Sequence, residues 1–212
     1  MPEDFGTPEE HVTPDKDRDW EACMTFNGLS WGYIDPEQAA AYSYNPQRIL
    51  RMLATCASGG GNLLLNIGPA PDGSVPPEAV EPLSAVGKWL EKNGDAVYGK
   101  LTSFQGIRGV GSRLCSLSRK GTTVYAWNWI WPSGGELVVS GITGKLKSAR
   151  ILGNGRDLPF TQEKYRIIFR GIKKEDQDPV AAVTVLALEF EAEPGLVSYA
   201  TQPPLCLGRA WE

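Results

Sequence analysis

The sequence predicts an α/β segment followed by an all-β segment, and the pattern changes near residue 98. Up to that point, stretches with a helical spacing of apolar residues alternate with short apolar strands. Beyond it, short β-branched and aromatic stretches are separated by turn clusters. We therefore expect an α/β unit over residues 1–98, an antiparallel β-sandwich over 99–195, and a tail over 196–212 to which we assign no function.

In the α/β unit, the first predicted strand covers residues 20–26, and Asn45 and Pro46 open a helix after it. Apolar side chains recur along that helix at helical spacing, and a serine followed by three glycines at 58–61 ends it. The next strand, 63–67, is a continuous apolar run. Such a run is typical of a strand covered on both faces, as in a parallel sheet or barrel.

A second helix is predicted after the turn-rich loop at 69–74. Two prolines and a glutamate at 76–78 begin this helix, and the Asn-Gly pair at 93–94 ends it. Strand, loop and helix therefore form one unit. The spacing predicts an apolar helix face made of Val80, Leu83, Val86, Trp89 and Leu90.

The all-β segment contains five stretches rich in β-branched, aromatic or apolar residues. Turn clusters rich in Gly, Pro, Asn and Asp separate them, at a spacing that predicts a sandwich of about six to eight strands. The predicted strands cover residues 122–131, 136–140, 149–152, 165–170 and 180–190.

Three tryptophans, Trp127, Trp129 and Trp131, alternate within the first of these stretches. Alternation along a strand predicts that all three project to the same face. If that face is exposed, it forms a platform on which sugars stack. The interpretation that we favour is that the three rings pack in the core of the sandwich or against the preceding unit.

The charge balance excludes a function in binding nucleic acid or anionic membranes. The formal net charge is -4, and the basic residues are scattered along the chain. The longest apolar runs, 62–67 and 180–190, are far shorter than the roughly 20 residues that span a bilayer. The acidic start, residues 1–4, lacks the basic and apolar regions of a signal peptide, and the localisation stays open.

The four cysteines, Cys23, Cys56, Cys115 and Cys206, lie far apart in the sequence. Their spacing does not match the paired cysteines of a zinc site. Three of them have apolar neighbours, where a buried free thiol is the expected state. We therefore predict reduced, structural cysteines.

Acidic and aromatic residues suited to sugar chemistry lie near the start of the chain. Hydrolysis of a glycosidic bond usually needs two carboxyl groups, one to protonate the leaving oxygen and one to attack the anomeric carbon or activate water. Asp4, Glu9 and Glu10 lie in a loop-like stretch before the first predicted strand. Loops beside barrel strands are where such sites are built. Trp31 and Tyr33 add apolar faces on which a sugar can stack.

Three motifs follow one another at characteristic spacing: Trp-Glu-Ala-Cys-Met-Thr at 20–25, Trp-Gly-Tyr at 31–33, and Gly-Gly-Asn-Leu-Leu-Leu-Asn-Ile-Gly-Pro at 60–69. In this order they resemble the α-L-fucosidases of glycoside hydrolase family 29. In that family the motifs lie in the last third of a (β/α)8-type catalytic barrel, and a β-sandwich follows the barrel. The resemblance implies this architecture for the present chain.

The resemblance also implies a role for Glu9. The Thr-Pro-Glu segment at 7–9 matches a loop in which several fucosidases are thought to place the general acid/base, and Glu9 is our candidate for it. Because this loop varies among relatives, Glu10 or Asp4 can substitute for Glu9 in that role. The alternative is that the segment is only a solvated acidic loop.

Further site residues follow from the same resemblance. Glu21 resembles a family carboxylate that orients or supports the site, and the alternative is a structural salt bridge. Tyr33 aligns with an aromatic residue that packs against the C5 methyl group of fucose. Trp31 either lines the pocket or anchors its loop in the core. Asn62 and Asn66 flank the apolar strand, and we favour a structural role for both.

These features predict the C-terminal portion of a retaining exo-α-L-fucosidase that acts on fucosylated glycans and needs no metal or cofactor. The nucleophilic Asp of the family has no matching position here, and the chain has one histidine, His11, where the family uses several. About three of the eight strand–helix units are present, so residues 1–98 cannot close a barrel. We therefore expect a fragment: a piece of a longer chain, an engineered piece, or one part of a split enzyme that combines with the N-terminal half of the barrel. The alternative is a non-catalytic carbohydrate-binding or interaction protein with a barrel remnant.

Overall fold

The computed structural model describes residues 5–27, 29–35, 37, 44–104 and 115–197. In these residues an α/β part precedes an all-β part, which confirms the predicted order of fold classes. Neither helix in the described ranges is long and apolar enough to cross a bilayer. Asp4, Cys206 and most of the predicted tail lie outside the described residues.

The α/β part contains β1 (Glu21–Thr25), α1 (Pro46–Gly59), β2 (Asn62–Asn66) and α2 (Pro77–Asn93), followed by a 3₁₀ turn (Gly94–Ala96). The all-β part contains β3 (Cys115–Lys120), β4 (Thr123–Asn128), β5 (Gly134–Ser140), β6 (Leu146–Ile151), β7 (Phe160–Glu163), β8 (Arg166–Lys173) and β9 (Thr184–Phe190).

Helix α1 begins and ends where its capping residues predict. The Asn45 side chain accepts a hydrogen bond from the Arg48 N–H at 2.9 Å, which satisfies one of the free donors of the first turn. At the other end, Gly60 adopts a left-handed conformation with a φ of 72°, which glycine takes without a steric penalty. The predicted helix is therefore confirmed at both ends.

Helix α2 begins at the second of two prolines, as predicted, and buries Val86 and Trp89. Val80, which the spacing places on the same face, is 46% exposed. Ala79, in the same turn, is buried in place of Val80, so the buried face is centred on the side of the helix that carries Ala79, Val86 and Trp89. The predicted apolar face is therefore too wide by one residue.

The strands β1 and β2 are parallel neighbours, in register from Glu21 opposite Asn62 to Thr25 opposite Asn66. The segment before β1, predicted as a loop, also pairs with it in parallel, through bridges from Gly6 and Glu9. Glycine, proline and acidic residues are depleted in strands, which is why the sequence pattern missed this segment. The chain thus forms three parallel neighbours, with β1 in the centre.

The two faces of this parallel sheet have different surroundings. Ala22 and Met24 of β1 are buried on the face that the helices cover. On the opposite face, Leu64 of β2 is 41% exposed. The prediction that the strand at 63–67 is covered on both faces is therefore wrong for the described residues. The face that carries Leu64 and Cys23, here called the open face, is available for further packing.

The all-β part consists of two antiparallel sheets with the strand orders β3-β4-β9-β6 and β5-β8-β7. One apolar cluster contains residues of both sheets, such as Val124 and Leu186 of the larger sheet and Ile167 of the smaller one. The strands β3 and β7 were not predicted. Both are rich in polar residues and lack the run of β-branched residues that marks a strand.

A second apolar cluster joins the two parts of the chain. It includes Met24 and Leu50 of the α/β part together with Trp127 and Val185 of the larger sheet. At its centre the rings of Trp89 and Trp127 lie 5.1 Å apart. Because this core crosses residue 98, the helical layer and the larger sheet bury each other, and a domain boundary at 98/99 stays a prediction.

The prediction that three tryptophans share one face is wrong. Trp127 and Trp129 pack on the cluster that contains Trp89, whereas Trp131 is buried in the cluster between the two sheets. Strand β4 ends at Asn128, so the alternation of a regular strand does not continue to Trp131. All three rings are at least partly buried, which excludes an exposed sugar-stacking row.

Burial of Cys56 predicts an unreactive thiol. Burial and, second, the Glu21 carboxylate raise the pKa of Cys56 to about 12 from 9.0. At pH 8 its thiolate fraction is then about a thousandfold lower than in an unfolded chain. We expect iodoacetamide to leave Cys56 unmodified in the native protein and to alkylate it in denaturant, as read by peptide mass spectrometry. Equal labelling in both states would contradict this burial.

The same shift predicts a pH dependence of stability. The unfolded thiol ionises from about pH 9 upwards, whereas the folded thiol stays protonated. The contribution of Cys56 to the free energy of unfolding is therefore fully present below pH 9, and it is lost as the pH rises from 9 towards 12.

Candidate active site at the carboxyl end of the parallel strands

The candidate site lies where the parallel segments end. Glu9 is the last residue of the first segment to pair with β1, and it lies opposite Cys23. Glu10 then adopts a left-handed conformation with a φ of 58°. Its Oε1 accepts a hydrogen bond from the Thr25 N–H at 3.0 Å. Glu10 therefore holds the turn against the end of β1, while the carboxylate of Glu9 is available to the site.

Trp31 contacts Glu9 directly. The indole Nε1 of Trp31 donates a hydrogen bond to the Glu9 Oε1 at 3.0 Å. The Trp31 ring is 42% exposed, so it is not anchored in the core. Of the two interpretations of Trp31, its position beside the candidate carboxylate favours the lining of a pocket.

The loop that carries Trp31 and Tyr33 is held by two asparagines. Asn27 Oδ1 accepts the N–H groups of Leu29 and Ser30 at 2.8 and 2.9 Å. Asn66 Nδ2 donates to the Trp31 carbonyl oxygen at 2.9 Å. Sequence reasoning missed the role of Asn27. The Asn-Gly pair at 27–28 is the turn signal that can reveal it.

Close backbone packing also fixes this loop. A Cβ atom built on Gly68 would lie 2.6 Å from the Tyr33 nitrogen, so only glycine fits beneath the loop. The Tyr33 ring is 38% exposed, as Trp31 is 42% exposed in the same loop. The last motif of the sequence thus supports the loop that carries both predicted aromatic residues.

Glu21 lies at the other end of β1, opposite Asn62. It lies four positions before Thr25, which corresponds to roughly 13 Å along the strand. It shares the open face with Cys23, two residues on. None of the described residues forms an ion pair with Glu21, so the alternative of a structural salt bridge receives no support from them.

The open face carries negative charge around Cys23, from three glutamates. Burial raises the pKa of the Cys23 thiol, and the carboxylates of Glu9, Glu21 and Glu10 raise it further, in that order. Glu9 is thus the carboxylate with the largest effect on this thiol. Within the part of the chain that the structure describes, no three His, Cys, Asp or Glu side chains are grouped to hold a metal ion.

Comparison with known proteins identifies the family. The family model described as "Alpha-L-fucosidase" matches residues 1–95, which include Glu9 and all three motifs. The plasma alpha-L-fucosidase of Rattus norvegicus is 35% identical over 157 residues, which is 73% of this chain and 33% of that protein. Over residues 1–95 the chain belongs to the α-L-fucosidase family. The tissue alpha-L-fucosidase of Mus musculus is 34% identical over 82% of this chain and 37% of its own length.

Solved α-L-fucosidase structures resemble both parts of the fold. Alpha-L-fucosidase isoenzyme 1 from Paenibacillus thiaminolyticus covers 89% of this chain, with a TM-score of 0.73 and 28% identity. An alpha-L-fucosidase GH29 from Bacteroides thetaiotaomicron covers 89% with a TM-score of 0.70 and 28% identity. The chain spans about a third of the length of the curated relatives and less than half of these two structures.

Proposed function

We propose that this chain forms the C-terminal part of an α-L-fucosidase that releases terminal α-L-fucose from glycans with retention of configuration. The observation that carries the proposal is the hydrogen bond from the Trp31 indole to the Glu9 carboxylate, at the carboxyl edge of parallel strands. Sites of barrel enzymes are built at this edge. The family relationship adds the substrate class.

Glu9 is proposed as the general acid/base. In the first half-reaction it gives its proton to the glycosidic oxygen while a carboxylate from the preceding part of the enzyme attacks the anomeric carbon. In the second half-reaction it takes a proton from the water that releases fucose. Glu21 lies at the far end of β1 from the aromatic loop. It is therefore proposed as a supporting carboxylate on the open face and not as the proton donor.

Trp31 and Tyr33 are proposed to form an apolar wall for the sugar. Fucose carries a methyl group on C5 where most hexoses carry a hydroxymethyl group. A partly exposed ring gains burial against the methyl group, whereas a hydroxyl at that position is left without a partner. The exposure of both rings at one edge supports this role.

The proposal also includes a barrel of which the three parallel segments are one part. The outer edges of β2 and of the segment at 6–9 are free to pair among the described residues, and Leu64 on the open face is exposed. In the proposed enzyme, further parallel strands pair with these two edges, and apolar side chains pack on Leu64. The proposed partner of this surface is the part of the family's (β/α)8-type barrel that precedes these residues.

The test is hydrolysis of an aryl α-L-fucoside by this chain, alone and mixed with a polypeptide that carries the preceding part of the barrel. Release of fucose by the mixture, with little or none by the chain alone, is expected. If the mixture binds fucose without hydrolysing the fucoside, the non-catalytic alternative is correct. If neither occurs although both polypeptides are folded, the proposed function is wrong.

A further inference from the structure

Two hydrogen bonds connect the end of β2 to the candidate acid/base. Asn66, the last residue of β2, donates from Nδ2 to the Trp31 carbonyl oxygen at 2.9 Å. Trp31 in turn donates from Nε1 to the Glu9 Oε1 at 3.0 Å. A side chain on β2 is thereby linked, through one loop residue, to a carboxylate on the segment at 6–9, which lies on the other side of β1.

Asn66 is a rigid starting point for this connection. It lies in register opposite Thr25, and its own carbonyl oxygen accepts the Phe26 N–H at 2.8 Å. The backbone of Asn66 is therefore held by the parallel sheet. Residues on strands hold a site more precisely than residues on loops. The Trp31 loop acquires its position from the strand through the Asn66 amide.

The chemistry of the donors assigns the two oxygens of Glu9. An indole N–H only donates, so the oxygen that it contacts must act as an acceptor. Oε1 is therefore occupied as an acceptor, and the proton that a general acid transfers has to reside on Oε2. A fixed Oε1 also sets the direction in which Oε2 points.

We propose that Asn66 is a positioning residue for the acid/base, that it acts through Trp31, and that Oε2 of Glu9 carries the transferred proton. This inference rests on the proposed function. In the first half-reaction the proton moves from Oε2 to the glycosidic oxygen, and the electrons of the breaking C1–O bond stay on that oxygen. In the second, the oxygen of water bonds to C1 while the bond between C1 and the attacking carboxylate breaks, its electrons stay on that carboxylate, and the water gives a proton to Oε2.

The experiment compares Asn66→Ala with wild type, each mixed with the polypeptide that carries the preceding part of the barrel. Two substrates are used: an aryl fucoside with an acidic phenol, which leaves without protonation, and an alkyl fucoside, which needs it. We expect kcat/KM to fall by about tenfold for the alkyl fucoside and to change little for the aryl fucoside, because only the former needs general-acid help. Asn62→Ala, at the opposite end of β2, is the matched control.

A second variant tests whether Asn66 acts on Glu9 through Trp31. Trp31→Phe removes the indole N–H and keeps an aromatic ring, and it is expected to show the same dependence on the leaving group. If Asn66 acts through Trp31, the double variant is no worse than the more impaired single variant. An equal loss on both substrates, or additive losses in the double variant, overturns the inference while leaving the proposed function intact. An inactive wild type overturns both.

Discussion

Replacing Glu9 with alanine is expected to lower kcat/KM for fucosides with poor leaving groups by about 10²–10⁴-fold, the range that general acid–base catalysis supplies. The substitution removes the carboxylate that accepts the Trp31 indole N–H at the carboxyl edge of the strands. With an activated aryl fucoside, formation of the covalent intermediate is expected to survive, so that its hydrolysis becomes rate-limiting. Steady-state kinetics on both substrates measures the two effects.

Rescue by azide distinguishes a lost base from a damaged site. Azide needs no deprotonation, and it can attack the intermediate from the side that the carboxylate vacates. Glu9→Ala is therefore expected to regain turnover of the aryl fucoside and to form a fucosyl azide of retained configuration. Glu10→Gln tests the alternative that Glu10 is the acid/base. We do not expect it to need rescue, because the Glu10 carboxylate accepts the Thr25 N–H. Azide rescue of Glu10→Gln, and not of Glu9→Ala, would assign the role to Glu10.

Replacing Gly61 with alanine is expected to reduce the free energy of unfolding by about 3 kcal/mol, at the upper end of the usual cost of overpacking. A Cβ atom at Gly61 would overlap the indole ring of Trp20. That ring is buried, and its Nε1 donates a hydrogen bond to the Gly59 carbonyl oxygen at 3.2 Å. The ring therefore has no free space into which it can move.

Gly87→Ala is the matched control for this stability measurement. Gly87 lies in α2, and a Cβ atom there would meet nothing within 4 Å. Alanine is a better helix former than glycine, so we expect this variant to be more stable than wild type by about 0.5–1 kcal/mol. Urea unfolding of both variants gives the comparison. A Gly61→Ala midpoint equal to that of wild type would mean that Trp20 does not pack on this glycine.

The sequence predicts those elements whose signals are local. Asn45 and Gly60 mark the ends of α1 through capping, and proline and glycine mark those of α2. The segment at 6–9 pairs with β1 although its composition disfavours strands, because a neighbouring strand supplies the pairing. Polar strands such as β7 are likewise determined by their partners and carry too few apolar residues to be recognised.

The candidate site was predictable as a set of residues and not as a set of contacts. The motifs point to Glu9, Glu21, Trp31 and Tyr33. Which of the two glutamates lies beside the aromatic loop depends on strand register and on the turn at Glu10, and neither can be read from spacing. The bond between Asn66 and Trp31 joins residues 35 positions apart, so it emerges only from the folded chain.

The core that joins α1 and α2 to the larger antiparallel sheet bears on how the parallel strands are held. Trp89 donates its Nε1–H to the Val183 carbonyl oxygen at 2.8 Å, and its ring packs on Trp127, so α2 is tied to this sheet independently of any further barrel strand. The helices can therefore hold β1 and β2 in register without help from any further strand. The larger antiparallel sheet thus supports the parallel strands through the helices that lie between them.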